Sequence, residues 1–359
     1  MKIKDIALSA AAIGERVVKA IAIGAVEVWS AIKYIIFKDP VVEQICATNW
    51  GDGVGITEQQ AAAVTDIRNV FQGNRDITSF DEFALFRNVK SLRGSAFYEC
   101  INLGSILLPD NLETIGVQTF QSCGFLSFKY PKALKSIERY AFMSCGKITK
   151  VYADSLEHLL SVQYANDGSF PFSSTPDNTT TELYINDELL VNADIQSGIT
   201  QIPGSLFLNN KNIISVSIPN TVTDIGSRAF FGCRNLTSDI TIPSGVSIIK
   251  FHTFQNCSSV ASFTLQEGIT AIEGYAFSGI GTRDSFVVPS TVTNIGGAAF
   301  FNSTLKNFVC LAVVPPTASN MFITCESLYV PDESVEAYKT ASNWSTYASK
   351  IKPLSEYQQ

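Results

Sequence analysis

Residues 218–233 read Ile218-Pro219-Asn220-Thr221-Val222-Thr223-Asp224-Ile225-Gly226-Ser227-Arg228-Ala229-Phe230-Phe231-Gly232-Cys233. Residues 288–300 restate the phrase as Val288-Pro289-Ser290-Thr291-Val292-Thr293-Asn294-Ile295-Gly296-Gly297-Ala298-Ala299-Phe300. The common part is an aliphatic residue, four variable positions mostly rich in Gly and Ala, then Phe, with Cys usually three residues later. Working outward, the same Phe recurs at Phe97, Phe120, Phe142, Phe207, Phe230, Phe254, Phe277 and Phe300. Most steps are 22 to 24 residues, and the single step of 65 is about three periods. Self-similarity at this period marks a solenoid, in which no unit buries its apolar face alone and stacking joins the faces into one core.

Each copy reads as a short strand ended by Pro, a second extended piece around Val-x-x-Ile, and a tight turn carrying Ala-Phe. Pro fixes φ and has no N–H to give, so it ends the strand and starts a corner. Gly after Ile is expected to supply a backbone conformation that a side chain would hinder, and Ala before Phe to leave room for the next coil. The Phe rings are then expected to stack along the interior.

These residues resemble the BspA-type leucine-rich repeats of bacterial and protist surface proteins and of phage proteins. The resemblance covers about residues 89–330 and implies an α+β, β-rich leucine-rich-repeat solenoid. Departures are local: Pro203 and Lys250 replace the Gly of Ile-Gly, and Ile280 and Ser303 stand where Cys is usual. Within the long step, Ser155 to Val162 has helical apolar spacing, a loop runs from Asn166 to Thr180, and the strand Leu183-Tyr184-Ile185-Asn186 leads back to the repeats. This insertion, at about 151–195, also resembles one common in the family. Its irregular loop is a candidate contact loop through Asp167, Phe170, Phe172 and Asp177. Leu328-Tyr329-Val330-Pro331 followed by Ser334 to Ile351 resembles the family's C-terminal cap, so 331–359 is expected to close the open end with a strand and an amphipathic helix.

The first 88 residues are different material. Val17 to Trp29 reads as two short strands hinged at Gly24-Ala25, because β-branched residues dominate on either side. Pro40 to Cys46 and Glu58 to Val64 read as short helices of a linking module over 41–88, with Thr57 the N-cap of the second. Asn49 to Gln60 is similar to a calcium loop, but its ligand positions fall on Asn49, Gly51, Gly53 and Gln60. With no carboxylate among them, calcium affinity is expected to be negligible and the loop to serve as a structural turn. The Ile-Gly-x-x-x-Val-Trp strand pair, with Asp39-Pro40-Val41-Val42-Glu43 and Ala61 to Ile67, resembles the start of structural proteins from tailed phages of anaerobic gut bacteria. That implies an attachment segment at 1–40, docking through Val18, Ile21, Ile23, Val28 and Trp29. Capsid or tail proteins would be partners, the chain a homo-oligomer (dimer or trimer), and the virion its place.

With 46% hydrophobic and 16% charged residues, the 359-residue chain has material for a large core. A net charge of −7 and the lack of a Lys/Arg cluster argue against nucleic-acid binding. A membrane span is not expected, because Lys19, Glu27 and Lys33 interrupt every window of the needed length. Lys2 and Lys4 followed by Asp5, with Glu15-Arg16 ending the apolar run, argue against a cleaved secretory signal. Cys100, Cys123, Cys145, Cys233 and Cys257 share one register position and read as a column of small apolar core residues. Their spacing matches no Cys-x-x-Cys zinc pattern, and free thiols fit a reducing compartment better than a disulfide framework. His158 and His252, the two histidines, lack a Ser or Cys partner at a recognisable spacing, and no phosphate loop is present, so neither catalysis nor a cofactor is expected.

Two function classes follow. One is a virion structural protein, a head or tail fibre or decoration, showing its solenoid to a host-surface protein or glycan. The other is a bacterial surface adhesin of the same repeat family. The alternating strand positions Ser215, Ser217, Asp239, Thr241, Ser262 and Thr264 form a hydroxyl-rich strip and are the candidate ligand face.

Overall fold

The computed structural model describes residues 17–19, 31–165, 169–171, 181–321 and 323–358. It is a β-solenoid with few helices. Each regular coil lays down two short strands and one tight turn, and successive coils pair in parallel. One strand face runs through Ser91–Leu92, Thr114–Ile115 and Ser136–Ile137, with Ile115 opposite Ile137. After the insertion it resumes through Gln201–Ile202 and Asp224–Ile225 and continues from Ile248–Ile249 to Thr317–Ala318. The second face contains Ser215–Ser217, Ile240–Ile242 and Phe263–Leu265. Toward the C-terminus it widens into Gly281–Val288, Ser303–Cys310 and Thr324–Val330.

The third side is the turn carrying the repeat Phe. Two residues before and two after each of the eight Phe residues, φ is positive: Arg228 (58°) and Gly232 (73°) flank Phe230, and His252 (58°) and Asn256 (61°) flank Phe254. Turn amides donate to the following coil, as in Phe230 N–H to Thr253 O at 3.0 Å and Phe277 N–H to Ala299 O at 2.9 Å. That ladder satisfies the buried backbone of a segment that is neither helix nor strand. Inside it the Phe rings stack in two series. Phe71, Phe97, Phe120 and Phe142 lie 5.2 to 5.5 Å apart between centroids. Phe207, Phe230, Phe254, Phe277 and Phe300 lie 5.3 to 5.8 Å apart, with the Phe230 and Phe254 planes within 2° of parallel.

The Gly of Ile-Gly works differently from expectation. Gly226 does not have positive φ; a Cβ there would lie 2.2 Å from Gly204 N and 2.5 Å from its Cα. Its role is the close approach of two backbones, coil against coil.

The solenoid begins before residue 89. Phe71 is fully buried and stacks on Phe97, and Ser79–Phe80 pairs in parallel with Ser105–Ile106. The expected 41–88 module therefore contains the first coil. Residues 35–40 belong to the same body: Ile35 and Phe37 are buried, and the Phe37 ring lies 6.2 Å from that of Phe80. Asp39 caps the helix Pro40–Trp50 by accepting from Val41 N and Val42 N, while its other oxygen accepts from Thr78 N at 2.6 Å and Thr78 Oγ1 at 2.8 Å. This helix runs past Cys46 and takes in Asn49. The second helix, Glu58–Ala63, starts with a full capping box between Thr57 and Gln60.

The insertion forms the helix Leu156–Ser161, N-capped by Ser155, and the strand Glu182–Ile185. At the C-terminal end, Val335–Thr340 is helical and Ile351–Pro353 adds the outermost strand of the wide sheet. Tyr338 and Trp344 are fully buried there, and the Trp344 ring lies 6.4 Å from that of Phe308, so aromatic rings cover the end of the core.

Candidate functional site

The six strip residues fall on two successive strand pairs, Ser215–Ser217 beside Asn192–Asp194 and Ile240–Ile242 beside Phe263–Leu265, with a break between them where Val216 N donates to Ser238 Oγ. Ser217, Asp239, Thr241, Ser262 and Thr264 are exposed and Ser215 is half-buried, while Val216, Ile240, Ile242 and Phe263 between them point into the core. Thr241 stands opposite Thr264 in the parallel pair. Ser262 donates its hydroxyl to the Asp239 carboxylate, and Ser215 donates to Asn192 Oδ1 at 2.6 Å. Asn192 and Asp194 pair with Ser215 and Ser217 and extend the strip by one strand. Parallel pairing with a two-residue side-chain alternation places like residues in columns, so a repeat strand with Ser or Thr at outward positions yields a flat polar band.

The other candidate residues divide. Phe170, expected in an exposed loop, is 3% exposed and stacks on Tyr164 with ring centroids 4.0 Å apart. Its apolar ring has a better place against the Tyr164 ring than in water, which removes it from the contact set. Asp167, Phe172 and Asp177 lie outside the described residues. Val18 lies in the strand Val17–Lys19, which pairs antiparallel with Ala31–Lys33, two residues beyond Trp29. Ile21, Ile23, Val28 and Trp29 lie outside the described residues.

Groups with latent chemistry are committed to the fold. All eight thiols are free and buried. The repeat column is more than the small apolar filler expected from sequence: Cys123, Cys145, Cys233 and Cys257 donate to the carbonyl oxygens of Phe97, Phe120, Phe207 and Phe230 at 2.9 to 3.0 Å. Ser303 does the same to Phe277 O at 2.9 Å, so the column is one of small donors. Where no regular coil precedes, Asn takes the position instead. Asn74 and Asn210 turn their side-chain oxygens onto the amides two and three residues ahead. Burial raises the pKa of the other buried thiols, to about 12 for Cys145 and Cys257 and about 11 for Cys310, whereas a hydrogen bond with the Cys123 thiol lowers that of Cys100.

His158 lines an open hollow of about 690 Å³ with Lys132, Lys135 and Gln163, but its Nε2 lies 2.9 Å from Leu134 O. In the loop resembling a calcium site, Asn49 donates to Ile45 O and accepts from Arg68, and Gln60 belongs to the capping box. Asp52, between the expected ligand positions, accepts from Tyr34 Oη at 2.5 Å and from Val54 N and Gly55 N. The loop is a hydrogen-bonded turn tied to Tyr34.

A second exposed group was not singled out from sequence. On the turn side, Phe251 is 41% exposed and Tyr275 36% exposed, with half-buried His252 between them. Its signal in the sequence is aromatic residues at two register positions that other copies fill mostly with Gly, Ser or polar side chains, positions at which the repeat is variable.

A family model described as the BspA type leucine rich repeat region matches residues 68–180 and 200–329, in six copies. No curated protein matches the chain. Among solved structures, a leucine-rich repeat protein from Bacteroides ovatus is 19% identical, covering 81% of this chain and 88% of its own, at a TM-score of 0.41. Pneumococcal vaccine antigen PcpA is 13% identical, covering 74% and 76%, at 0.40. A leucine rich cell surface protein from Faecalibacterium prausnitzii is 17% identical, covering 77% and 81%, at 0.29.

Proposed function

This chain belongs to the BspA-type leucine rich repeat family, and from that premise we propose that it is a non-catalytic adhesion protein whose solenoid displays a recognition surface to a host-cell protein or glycan. The observation that carries the reading is the outward-facing polar positions of two neighbouring in-register strand pairs, Asn192 and Asp194 on Ser215 and Ser217, and Thr241 on Thr264. These side chains face solvent in columns while the thiols, His158 and the calcium-like loop are occupied within the fold. A stacked array has the extended geometry suited to a large, repetitive partner, and each hydroxyl adds a modest increment. We propose the virion as the carrier, with capsid or tail proteins and further copies of the chain holding the N-terminal segment. That placement rests on the resemblance of residues 1–67 to phage structural proteins. The bacterial cell surface is the other carrier, favoured by the family itself.

Two measurements test this. Binding of the purified chain to intact host cells, compared with a Thr241→Lys/Thr264→Lys variant, tests display: binding is expected for the native chain and reduced for the variant. A chain that binds no cell would end the adhesion reading. Mass spectrometry of purified particles and of cell envelopes tests the carrier. Fixed copy number in particles is expected, and recovery from envelopes alone would move the protein to the cell surface.

A further inference from the structure

The turn side of the coils around Phe230, Phe254 and Phe277 carries an aromatic platform that the fold does not need. His252 stacks on Tyr275 with centroids 5.1 Å apart and planes 21° from parallel, Phe251 packs edge-on to both, and Phe231 meets His252 at 6.0 Å. In other coils the positions of Phe251 and Tyr275 hold Gly94 and Ser95, Gly204 and Ser205 or Gly297 and Ala298, and elsewhere Val117 and Gln118, Arg139 and Tyr140 or Ser227 and Arg228, and all of these coils close in the same way. Both His252 and Tyr275 have φ of 58°, a region that disfavours bulky side chains. Neither burial nor turn geometry therefore selects these rings.

The platform has a built seat. A Cβ on Gly274 would lie 2.8 Å from Cε2 of Phe251, so the ring rests directly on the glycine of the next coil. Polar groups frame it. Glu273 accepts from Phe251 N at 2.8 Å, and the Gln255 oxygen holds Nδ1 of His252, which makes that nitrogen the N–H and leaves Nε2 an acceptor. Partial burial, and after it the nearby Arg228, disfavour protonation of His252 against the opposing hydrogen bond to Gln255.

We propose that Phe231, Phe251, His252 and Tyr275 form a carbohydrate-binding platform that takes the C–H face of a pyranose ring. The complementarity is specific to that class. The electron-rich ring faces attract the polarised C–H groups of a sugar, while the imidazole nitrogen and the carboxylate and amide at the rim match its hydroxyls. An aliphatic protein anchor would offer nothing to His252 Nε2 or to the hydrogen-bonding capacity that Glu273 and Gln255 keep beyond their contacts with Phe251 N and His252 Nδ1. The platform lies on the turn side and the Ser/Thr band on a strand side, so the two are separate. This inference rests on the adhesion reading and narrows its partner to a glycan bound at a different face.

The test uses the full chain on an array of neoglycoproteins bearing gluco-, galacto- and manno-configured pyranosides, with host-cell binding measured in parallel. Binding to a subset of the sugars is expected, with at least a tenfold loss for Phe251→Ala and for Tyr275→Ala. Gly274→Ala, whose methyl would press on the Phe251 ring and also approach Gly297 O at 3.0 Å, should weaken binding as well, and Val314→Ala, exposed and outside both the platform and the strand band, should leave it unchanged. Both ring residues are exposed, so the variants should keep the native melting temperature. A blank array overturns the inference, as does sugar binding that survives both alanine variants. So does an oligomer in sedimentation that Phe251→Ala dissociates, which would make the platform a contact between copies. If the native chain and Phe251→Ala bind host cells equally, this inference falls and the adhesion reading stands; if the native chain binds neither cells nor sugars, both fall.

Discussion

The Cys233 thiol donates to the carbonyl oxygen of Phe207, 3.0 Å away in the preceding coil. The bond joins two coils in the interior; Phe207 O also accepts from Asn210 N at 3.0 Å, so losing the thiol removes one hydrogen bond worth about 0.5–1.5 kcal/mol without orphaning the carbonyl. Cys233→Ala should destabilise the chain by about that amount in a urea titration. Cys233→Ser should cost clearly less, because Ser303 already fills the position with a hydroxyl in the same role. Equal losses for Ala and Ser would show that the thiol contributes volume alone.

Burial predicts inert thiols, by shielding alone at Cys100, whose pKa the Cys123 hydrogen bond lowers, and by shielding and a raised pKa elsewhere. With Cys145 and Cys257 pushed up to about 12, little thiolate exists at pH 8, and the side chains are shielded from reagents. Native protein should give almost no colour with a disulfide reagent, and denaturant should release eight equivalents. Rapid labelling of the native chain would contradict the packed column.

The Phe register was legible because eight copies hold it at nearly constant spacing, which few other constraints produce. The first rung was not legible. Phe71 has Asn74 instead of Cys three residues on, and only three residues separate it from Ile67. A terminal coil has a neighbour on one side only, so its sequence departs from the consensus that mutual packing imposes. In sequence Ser303 stands out as a departure because volume and apolarity are the visible rule of the column, whereas hydrogen-bond donation is what Cys and Ser share. The outward alternation of the strip was legible from strand periodicity; the Phe251–Tyr275 cluster was not, since it arises between coils at positions the consensus leaves open.

In the core ladder, Phe230 lies between Phe207 and Phe254, with centroids 5.3 Å away on each side. Phe230→Ala should cost about 3–5 kcal/mol, because rigid neighbouring coils close poorly over the cavity. Gly226→Ala tests the opposite error. The added methyl would meet Gly204 backbone, and overpacking of this kind costs about 1–3 kcal/mol. A neutral result in equilibrium unfolding would show that the coils slide apart freely.

Asp39 supplies a pH signature and fixes where the folded body starts. The residue is 3% exposed. Burial alone would raise its pKa, but the Thr78 backbone and hydroxyl and the amides of Val41 and Val42 together hold it below the ordinary carboxylate range. A folded pKa below the unfolded one gives stability that is present above the unfolded value and lost as pH falls through the folded one. Asp39→Asn cannot accept from Thr78 and Val41 on both sides at once. It should therefore lose about 1–2 kcal/mol at pH 7, with the gap to the native chain closing below about pH 4. The same residue sets the truncation result. Removing residues 1–40 also removes Ile35, Phe37 and the Asp39 clasp, so the melting temperature should fall. Removing residues 1–30 keeps all three, and circular dichroism and the melt should be preserved. If docking resides in the first thirty residues, that shorter deletion should abolish incorporation into particles while leaving the solenoid folded. Normal incorporation of the 1–30 deletion would sink the docking proposal, and an equal loss of stability in both deletions would make the first thirty residues part of the solenoid's own cap.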